Sequence, residues 1–524
     1  MQCLRHKDFH GGKKNSIAHT SEDLIFQIEK ADIFLGDNIF LPDDKKEGHA
    51  LRFNQVEILY GLQTGGYRLF YSQNVIVEAG SIPAISTLPV KYTEFMMDEQ
   101  VVTVTCSSDE FNDITPHGFL SLFILFLQEL SFFNLFTLLD PPEKEVLYST
   151  TQKVQTIITS IAVGCTYNSD INHQLVPYKV EAELLGIERF PEQSQINRFL
   201  RHMDCLSINQ LDIIFNLATH YYSLTSILPD KVDIDIDSTG LIANGRTYQL
   251  NRKGYFSKRQ GEKGYQLSMC IAGLTGDVLV HSFMPGNFAA PSDFINLIYG
   301  VAEVLGSFER LGIIRADSGY GTAINLDFLI ELQLQFVVKG RNHRSFSDMV
   351  PFIPPTDWEY VNSTLSIYDV GERNIPKSAA NNRARVIMIK HITSNGKIKY
   401  GHLFTNLSWD ALKIFEFYNE RQCIEAVIRT DKSYFNIKSL RTRDFCGISA
   451  FLYLAFMTHN MLNLFRKSIL EPLGITDIGL RNTVRKLMNV PAKVVKDMSN
   501  TLLLFPDKHF YTKEMLSQNT SDFV

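Results

Sequence analysis

The run Lys231-Val-Asp-Ile-Asp-Ile-Asp237-Ser-Thr-Gly240 constrains this chain more than any other stretch. Its alternation is strict. Val232, Ile234 and Ile236 point one way and Asp233, Asp235 and Asp237 the other, the period of a β-strand. One face is apolar and the other carries three carboxylates. Like charges in a row repel unless solvent or a divalent cation neutralises them. The strand is therefore either an edge strand with a wet acidic face or part of a site that holds positive charge.

A second carboxylate closes an apolar run, Leu311-Gly-Ile-Ile-Arg-Ala-Asp317-Ser-Gly-Tyr-Gly321. Asp317 reads as the residue at the C-terminal end of a buried strand, where open α/β sheets place ligands. Read alone, it is equally a helix N-cap. A third feature is the set Tyr418, Arg421, Glu425 and Lys432, spaced by three, four and seven residues. On one unbroken helix these side chains fall within an arc of about 60°. They form a polar stripe opposite Cys423, Ile424, Val427 and Ile428, which face a core. The plain alternative is a solvated face with an Arg421–Glu425 pair.

Together, Asp237, Asp317 and Glu425 offer three oxygen donors from two strands and a helix. Hard ions such as Mg²⁺ or Mn²⁺ take such donors and keep positions open for water and phosphate. Two such ions about 3.5–4 Å apart serve in-line phosphoryl displacement, which makes nucleic acid the expected substrate.

The order Asp-Ser-Thr, then Arg-Ala-Asp-Ser-Gly-Tyr, then Tyr-x2-Arg-x3-Glu-x6-Lys resembles the DDE transposases of bacterial insertion sequences, in the subgroup with a tyrosine-arginine-glutamate-lysine signature. The likeness runs from about Thr115 to Arg466. It implies an α/β fold with a ribonuclease-H-like catalytic core. It implies Asp237, Asp317 and Glu425 as catalytic, metal-binding residues for Mg²⁺ or Mn²⁺, with two ions, and Tyr418, Arg421 and Lys432 as DNA contacts. Asp235 shares a strand face with Asp237, but Asp237 precedes the Ser-Thr pair, as the family pattern favours. The implied activity is cut-and-paste transposition. The protein would cleave the ends of its element and join the 3′-hydroxyl to target DNA, acting on terminal inverted repeats as a homodimer. A nuclease without strand transfer and a catalytically idle DNA-binding protein are the alternatives.

Around these motifs the elements follow in order. Tyr265 to Ala272 and Asp277 to Met284 read as strands about the turn Gly273-Leu-Thr-Gly276. Ser292 is placed to cap a helix from Ile295 to Leu305. A helix from Ala323 to Leu332 and a strand from Gln335 to Val338 come next. Prolines at 351, 354, 355 and 376 break residues 342–408 into a β-rich insertion within a catalytic domain spanning 231–466. The insertion holds Trp358, an aromatic on which a flipped base could stack. Residues 115–230 read as a helical DNA-binding and dimerisation region, 467–524 as a helical tail, and 1–114 as a region of unclear fold.

The net charge of −6 argues against a uniformly basic nucleic-acid binder. Local charge runs the other way. Arg246 to Lys263 holds six Lys/Arg against one acid, and Arg421 to Arg443 six against two; the first run makes Arg246 a further DNA contact. Seven scattered cysteines without a Cys-x-x-Cys pair fit reduced thiols and a cytoplasmic location. Phe119 to Leu139 is apolar, but Gln128 and Glu129 interrupt it, so it reads as a buried or dimer-forming helix and no membrane association is expected.

Overall fold

A computed structural model of the chain describes residues 115–142, 147–224, 228–254, 256, 261–341, 346, 348–496 and 500–512, and the backbone of strands at 51–53, 56–59, 68–69, 92–97 and 100–107. The chain divides into two compact units, one from Leu228 to Arg429 and the other from Met1–Ile227 with Thr430–Val524. The expected catalytic domain ran on to residue 466, whereas the first unit ends at Arg429.

The unit from 228 to 429 is built on one ten-stranded sheet. In chain order its strands are β1 (Val232–Ile242), β2 (Arg252–Lys253), β3 (Lys263–Ala272), β4 (Val278–Pro285), β5 (Leu311–Ala316), β6 (Phe336–Lys339), β7 (Glu359–Asn362), β8 (Leu365–Asn374), β9 (Arg383–Ile392) and β10 (Ile398–Thr405). The lateral order is β7-β8-β9-β10-β6-β5-β1-β3-β2, with β4 also paired to β3. β3 is antiparallel to both β1 and β4, while β5 and β6 run parallel to β1 and to each other. The parallel strands need crossovers, supplied by α1 (Phe294–Leu305) between β4 and β5 and α2 (Ala323–Glu331) between β5 and β6. Residues 359–405 widen the sheet through β10, antiparallel to β6.

Local chemistry explains most boundaries. Gly276 closes the β3–β4 turn with φ +76°, and Gly306 ends α1 with φ +79°, both left-handed values that favour glycine. Thr322 caps α2 by accepting from the Asn325 N–H, so Asp317 is not that helix's cap. Ser292 is not a cap either. A short 3₁₀ turn, Ala290–Asp293, leads into α1, whose N-cap position is Asp293.

β1 corrects the picture of a wet edge strand. It is central, between β5 and β3, and Asp235 on its carboxylate face is fully buried.

The helix expected to carry the four-residue stripe is two helices, α3 (Ala411–Glu420) and α4 (Gln422–Ser433). At the junction the Arg421 N–H bonds the Tyr418 carbonyl and the Ile424 N–H bonds the Arg421 carbonyl, both at 3.1 Å. These three-residue turns are tighter than α-helical ones. α3 lays Ala411, Ile414 and Tyr418 against Ile313, Val337, Ile367, Ile387 and Leu403 of the sheet.

In the other unit, helices Gly118–Glu129, Thr150–Ala162, Gln193–His202 and Cys205–Ala218 accompany Phe445–Phe465, which is buried at every position but Cys446. With the turn that follows it, Phe445–Leu470 is long and apolar enough to span a membrane, and 94% of its most apolar stretch is buried inside the protein, as a core helix would be. The C-terminal region is not wholly helical. Lys493–Lys496 and Asn500–Pro506 are strands, the second parallel to Gln100–Ser107. Thr501, Leu503 and Phe505 are buried and Leu502 and Leu504 half-buried, a strand alternation that a helical reading of the tail overlooks.

Candidate active site

The register of β1 and β5 builds the site. Arg315 pairs with Asp235 and Ala316 with Ile236, so the next step along both strands sets Asp237 opposite Asp317. Adjacent strands lie about 4.8 Å apart, which brings the two carboxylates side by side. Asp317 follows the last residue of β5 and opens a turn closed by the Tyr320 N–H on its carbonyl, 2.9 Å. Tyr320 is buried beneath that turn, with its hydroxyl 3.3 Å from Ser268 Oγ.

Arg421 meets this pair from the helix junction. Its Nη1 lies 3.3 Å from Asp237 Oδ2 and its Nη2 3.3 Å from Glu425 Oε1. The arginine side chain is only 8% exposed, while those of Asp237 and Glu425 are 18% and 52% exposed. A guanidinium is thus the cation that joins Glu425 to Asp237. Among the described residues, no group of three or more His, Cys, Asp and Glu side chains is gathered closely enough to hold a metal ion.

The electrostatics follow from burial and these neighbours. Burial raises the Asp237 carboxyl above the usual carboxylate range, Arg421 and the Ser238 N–H pull it back, and Asp317 adds to the rise. Burial also raises the Tyr418 hydroxyl. Burial works against the Arg421 charge, but Tyr418, Asp237 and Asp317 outweigh it and hold the guanidinium protonated.

Two of the three expected donors, Asp237 and Asp317, are oxygen donors of the kind a hard divalent ion takes, while the third, Glu425, is held by Arg421 and not gathered with them. Asp237 and Asp317 present adjacent carboxylates with partial access, and the bridging guanidinium shows that positive charge is accommodated beside them. Asp235 does not fit that role. It is fully buried and taken in a two-pronged pair with Arg315, at 2.6 and 3.0 Å.

The family model for the transposase DDE domain, group 1, matches residues 133–521. The chain belongs to that transposase family. A cryo-EM structure of a piggyBac transposase synaptic complex with hairpin DNA is similar at 11% identity and a TM-score of 0.37, covering 73% of this chain and 77% of that one. That likeness is too remote to transfer any residue's role. A search of curated proteins finds no match.

In this transposase-family chain the remaining residues singled out in the sequence are dispersed. Tyr418 is in the hydrophobic cluster under α3, with its ring 5.6 Å from the Arg421 guanidinium carbon, so neither is presented to solvent. The reason is compensation, since Arg421 is neutralised by carboxylates and Tyr418 packs as an aromatic. Lys432 is half-buried near the end of α4, and Arg246 is exposed after β1. Lys258 and Arg259, part of the same basic run, lie outside the described residues. Trp358 is half-buried before β7, its ring 6.0 Å from both Tyr368 and Tyr400 and 5.8 Å from Lys390 Nζ. Sequence reasoning missed Arg315. The available signal was spacing, because Arg315 stands two residues before Asp317 as Asp235 stands two before Asp237.

Proposed function

We propose that this chain is a cut-and-paste DNA transposase of the insertion-sequence type with the Tyr-Arg-Glu-Lys signature, cleaving the ends of its element and joining the freed 3′-hydroxyl to target DNA. The observation that carries the reading is the parallel register Arg315–Asp235 and Ala316–Ile236, which leads Asp237 and Asp317 to the same end of two neighbouring strands, with Arg421 bound to Asp237 and to Glu425 at one helix junction. The strand order β4-β3-β1-β5-β6, three antiparallel strands followed by two parallel ones, supports a ribonuclease-H-like core. Asp237, Asp317 and Glu425 would hold Mg²⁺ or Mn²⁺, which when bound supplies Lewis acidity to the attacking and leaving oxygens.

The chain's own contribution is placement and charge. β1 holds Asp237 in the sheet and the turn closed by the Tyr320 N–H holds Asp317 directly after β5, so their spacing is set before substrate arrives. Arg421 offers a planar fork of donors suited to a phosphate as well as to a carboxylate. Burial of the Arg421 side chain limits the screening of its charge by water. DNA contact by Lys432, Arg246 and Trp358 and a homodimer on paired ends complete the reading.

The test is direct. The purified chain is incubated with DNA bearing the inverted repeats that flank its gene, with Mg²⁺ and with target DNA. Nicks at the repeat ends and joined products are expected. End DNA left intact by bound protein in Mg²⁺ and in Mn²⁺ would overturn the reading, and cleavage without joined products would reduce it to a nuclease.

A further inference from the structure

Arg315 belongs neither to the carboxylate set nor to the four-residue stripe, yet from β5 it binds β1 and α3 directly and meets α4 through Asp235. It is 2% exposed, on the central strand β5. Its Nε donates to Asp235 Oδ1 at 2.6 Å and its Nη2 to Asp235 Oδ2 at 3.0 Å, tying β5 to β1. Its Nη1 donates to the Phe417 carbonyl at 2.7 Å and lies 3.3 Å from Glu420 Oε2, both in the last turn of α3. The guanidinium carbon sits 4.4 Å from the centre of the Phe417 ring. From the first turn of α4, Cys423 Sγ approaches the same Asp235 carboxylate at 3.0 Å. All three guanidinium nitrogens are thus engaged.

The surroundings are shaped for this side chain. A Cβ at Gly273 would stand 2.7 Å from Arg315 Nη2 and 3.4 Å from Asp235 Oδ2, so the glycine after β3 leaves the room the fork fills. Free carbonyls at a helix C-terminus carry partial negative charge, which a cation there offsets.

A buried ion pair alone says little about stability, because apolar residues of similar volume often pack as well. What an apolar pair could not do is hold the Phe417 carbonyl in register with both strands. We propose that Arg315 is a positioning residue, fixing the α3–α4 junction, and with it Arg421 and Glu425, against the paired Asp237 and Asp317. The catalytic consequence rests on the transposase reading; the strut does not.

The experiment uses the full chain with Arg315→Met/Asp235→Leu together and, separately, Arg315→Lys. The double variant replaces the buried charges with apolar volume and deletes the bond to Phe417. Four properties are read: melting temperature, affinity for end DNA, the Mg²⁺ dependence of cleavage, and backbone amide exchange over residues 418–429. The double variant should melt and bind ends like the parent. Its cleavage should fall by about 10- to 100-fold with a higher Mg²⁺ requirement, as loss of groups that orient metal ligands typically causes. Exchange over 418–429 should quicken by about tenfold. Parental cleavage with parental Mg²⁺ dependence would overturn the proposal, whether or not exchange changes. If the double variant does not fold, Arg315→Lys decides, since lysine keeps the charge and loses the fork. Faster exchange over 418–429 at an unchanged melting temperature then supports the strut, and unchanged exchange overturns it. If the parent itself does not cleave end DNA, the transposase reading fails and the exchange measurement alone settles the strut.

Discussion

Arg421 and Asp237, 184 residues apart in the chain, meet at 3.3 Å, and the same guanidinium reaches Glu425 at the same distance. The arginine therefore acts as an internal counter-ion to a carboxylate that burial and Asp317 make costly to ionise. A divalent ion entering beside Asp237 would meet a position already balanced by charge. The positive charge of Arg421 and that of the ion would compete unless a phosphate took the guanidinium.

Changing the three carboxylates singly should separate cleavage from folding. Asp237→Asn, Asp317→Asn and Glu425→Gln are each expected to abolish Mg²⁺-dependent cleavage of end DNA, with end affinity held within about threefold, because the phosphate contacts remain. Asp235→Ala should behave differently. It strands the buried Arg315 charge, at a cost of about 3–5 kcal/mol, so its deficit should appear first in urea unfolding. Wild-type cleavage by Asp237→Asn would remove that residue from the metal site.

The pH dependence of stability should carry the mark of His281. This residue is buried on β4, and burial pushes its imidazole from 6.5 down to about 3. Between those values the unfolded chain binds a proton that the folded chain refuses. Its contribution to stability is therefore complete above pH 6.5 and is lost as the pH falls toward 3, at about 1.4 kcal/mol per pH unit. Urea unfolding at pH 7, 6 and 5 should show that decline, and His281→Phe should flatten it. An equal slope in both proteins would assign the decline to other groups.

Strand alternation made β1 legible, and an apolar run ending in an acid made β5 legible, because both patterns are local. The partners of those acids were not. Whether Asp235 or Asp237 faces the site depends on a register between strands 80 residues apart, and that register gives Asp235 to Arg315. Arg315 is a single polar residue in an apolar strand, and its acceptors, on β1 and at a helix end, are not local to it. The stripe Tyr418-Arg421-Glu425-Lys432 was drawn on an unbroken helix. The tight turn at Arg421 splits it and leaves Arg421 buried with Ile424 and Ile428, while Glu425 is exposed.

Assembly on DNA gives a third expectation. Two ends must be held together to be joined, so light scattering on the chain with paired end DNA should report at least two copies per complex. Strand transfer completed by a complex of one copy and one end would contradict this.

The two cations of the signature should part company in salt titrations. Each phosphate contact releases condensed counterions, so the logarithm of affinity falls with the logarithm of salt at about 0.9 per contact on duplex DNA. Lys432 is half-buried and lies near the end of α4. Lys432→Ala should weaken end binding, lower the slope by about one and leave the melting temperature near that of the parent. Arg421 starts from a different state, 8% exposed and bound to two carboxylates. Arg421→Ala leaves Asp237 beside Asp317 without its counter-ion, so it should lose about 2 kcal/mol in urea unfolding. Arg421→Lys should recover part of that loss, because a point charge serves one carboxylate but not the planar bridge between two. Both proteins should be measured between 50 and 200 mM salt, about the range over which such slopes are well resolved. A slope unchanged in Lys432→Ala would deny it a phosphate contact. A slope reduced in Arg421→Ala at full stability would mean that the arginine leaves its carboxylates for DNA at no cost to the fold, and its role as an internal counter-ion would have to be given up.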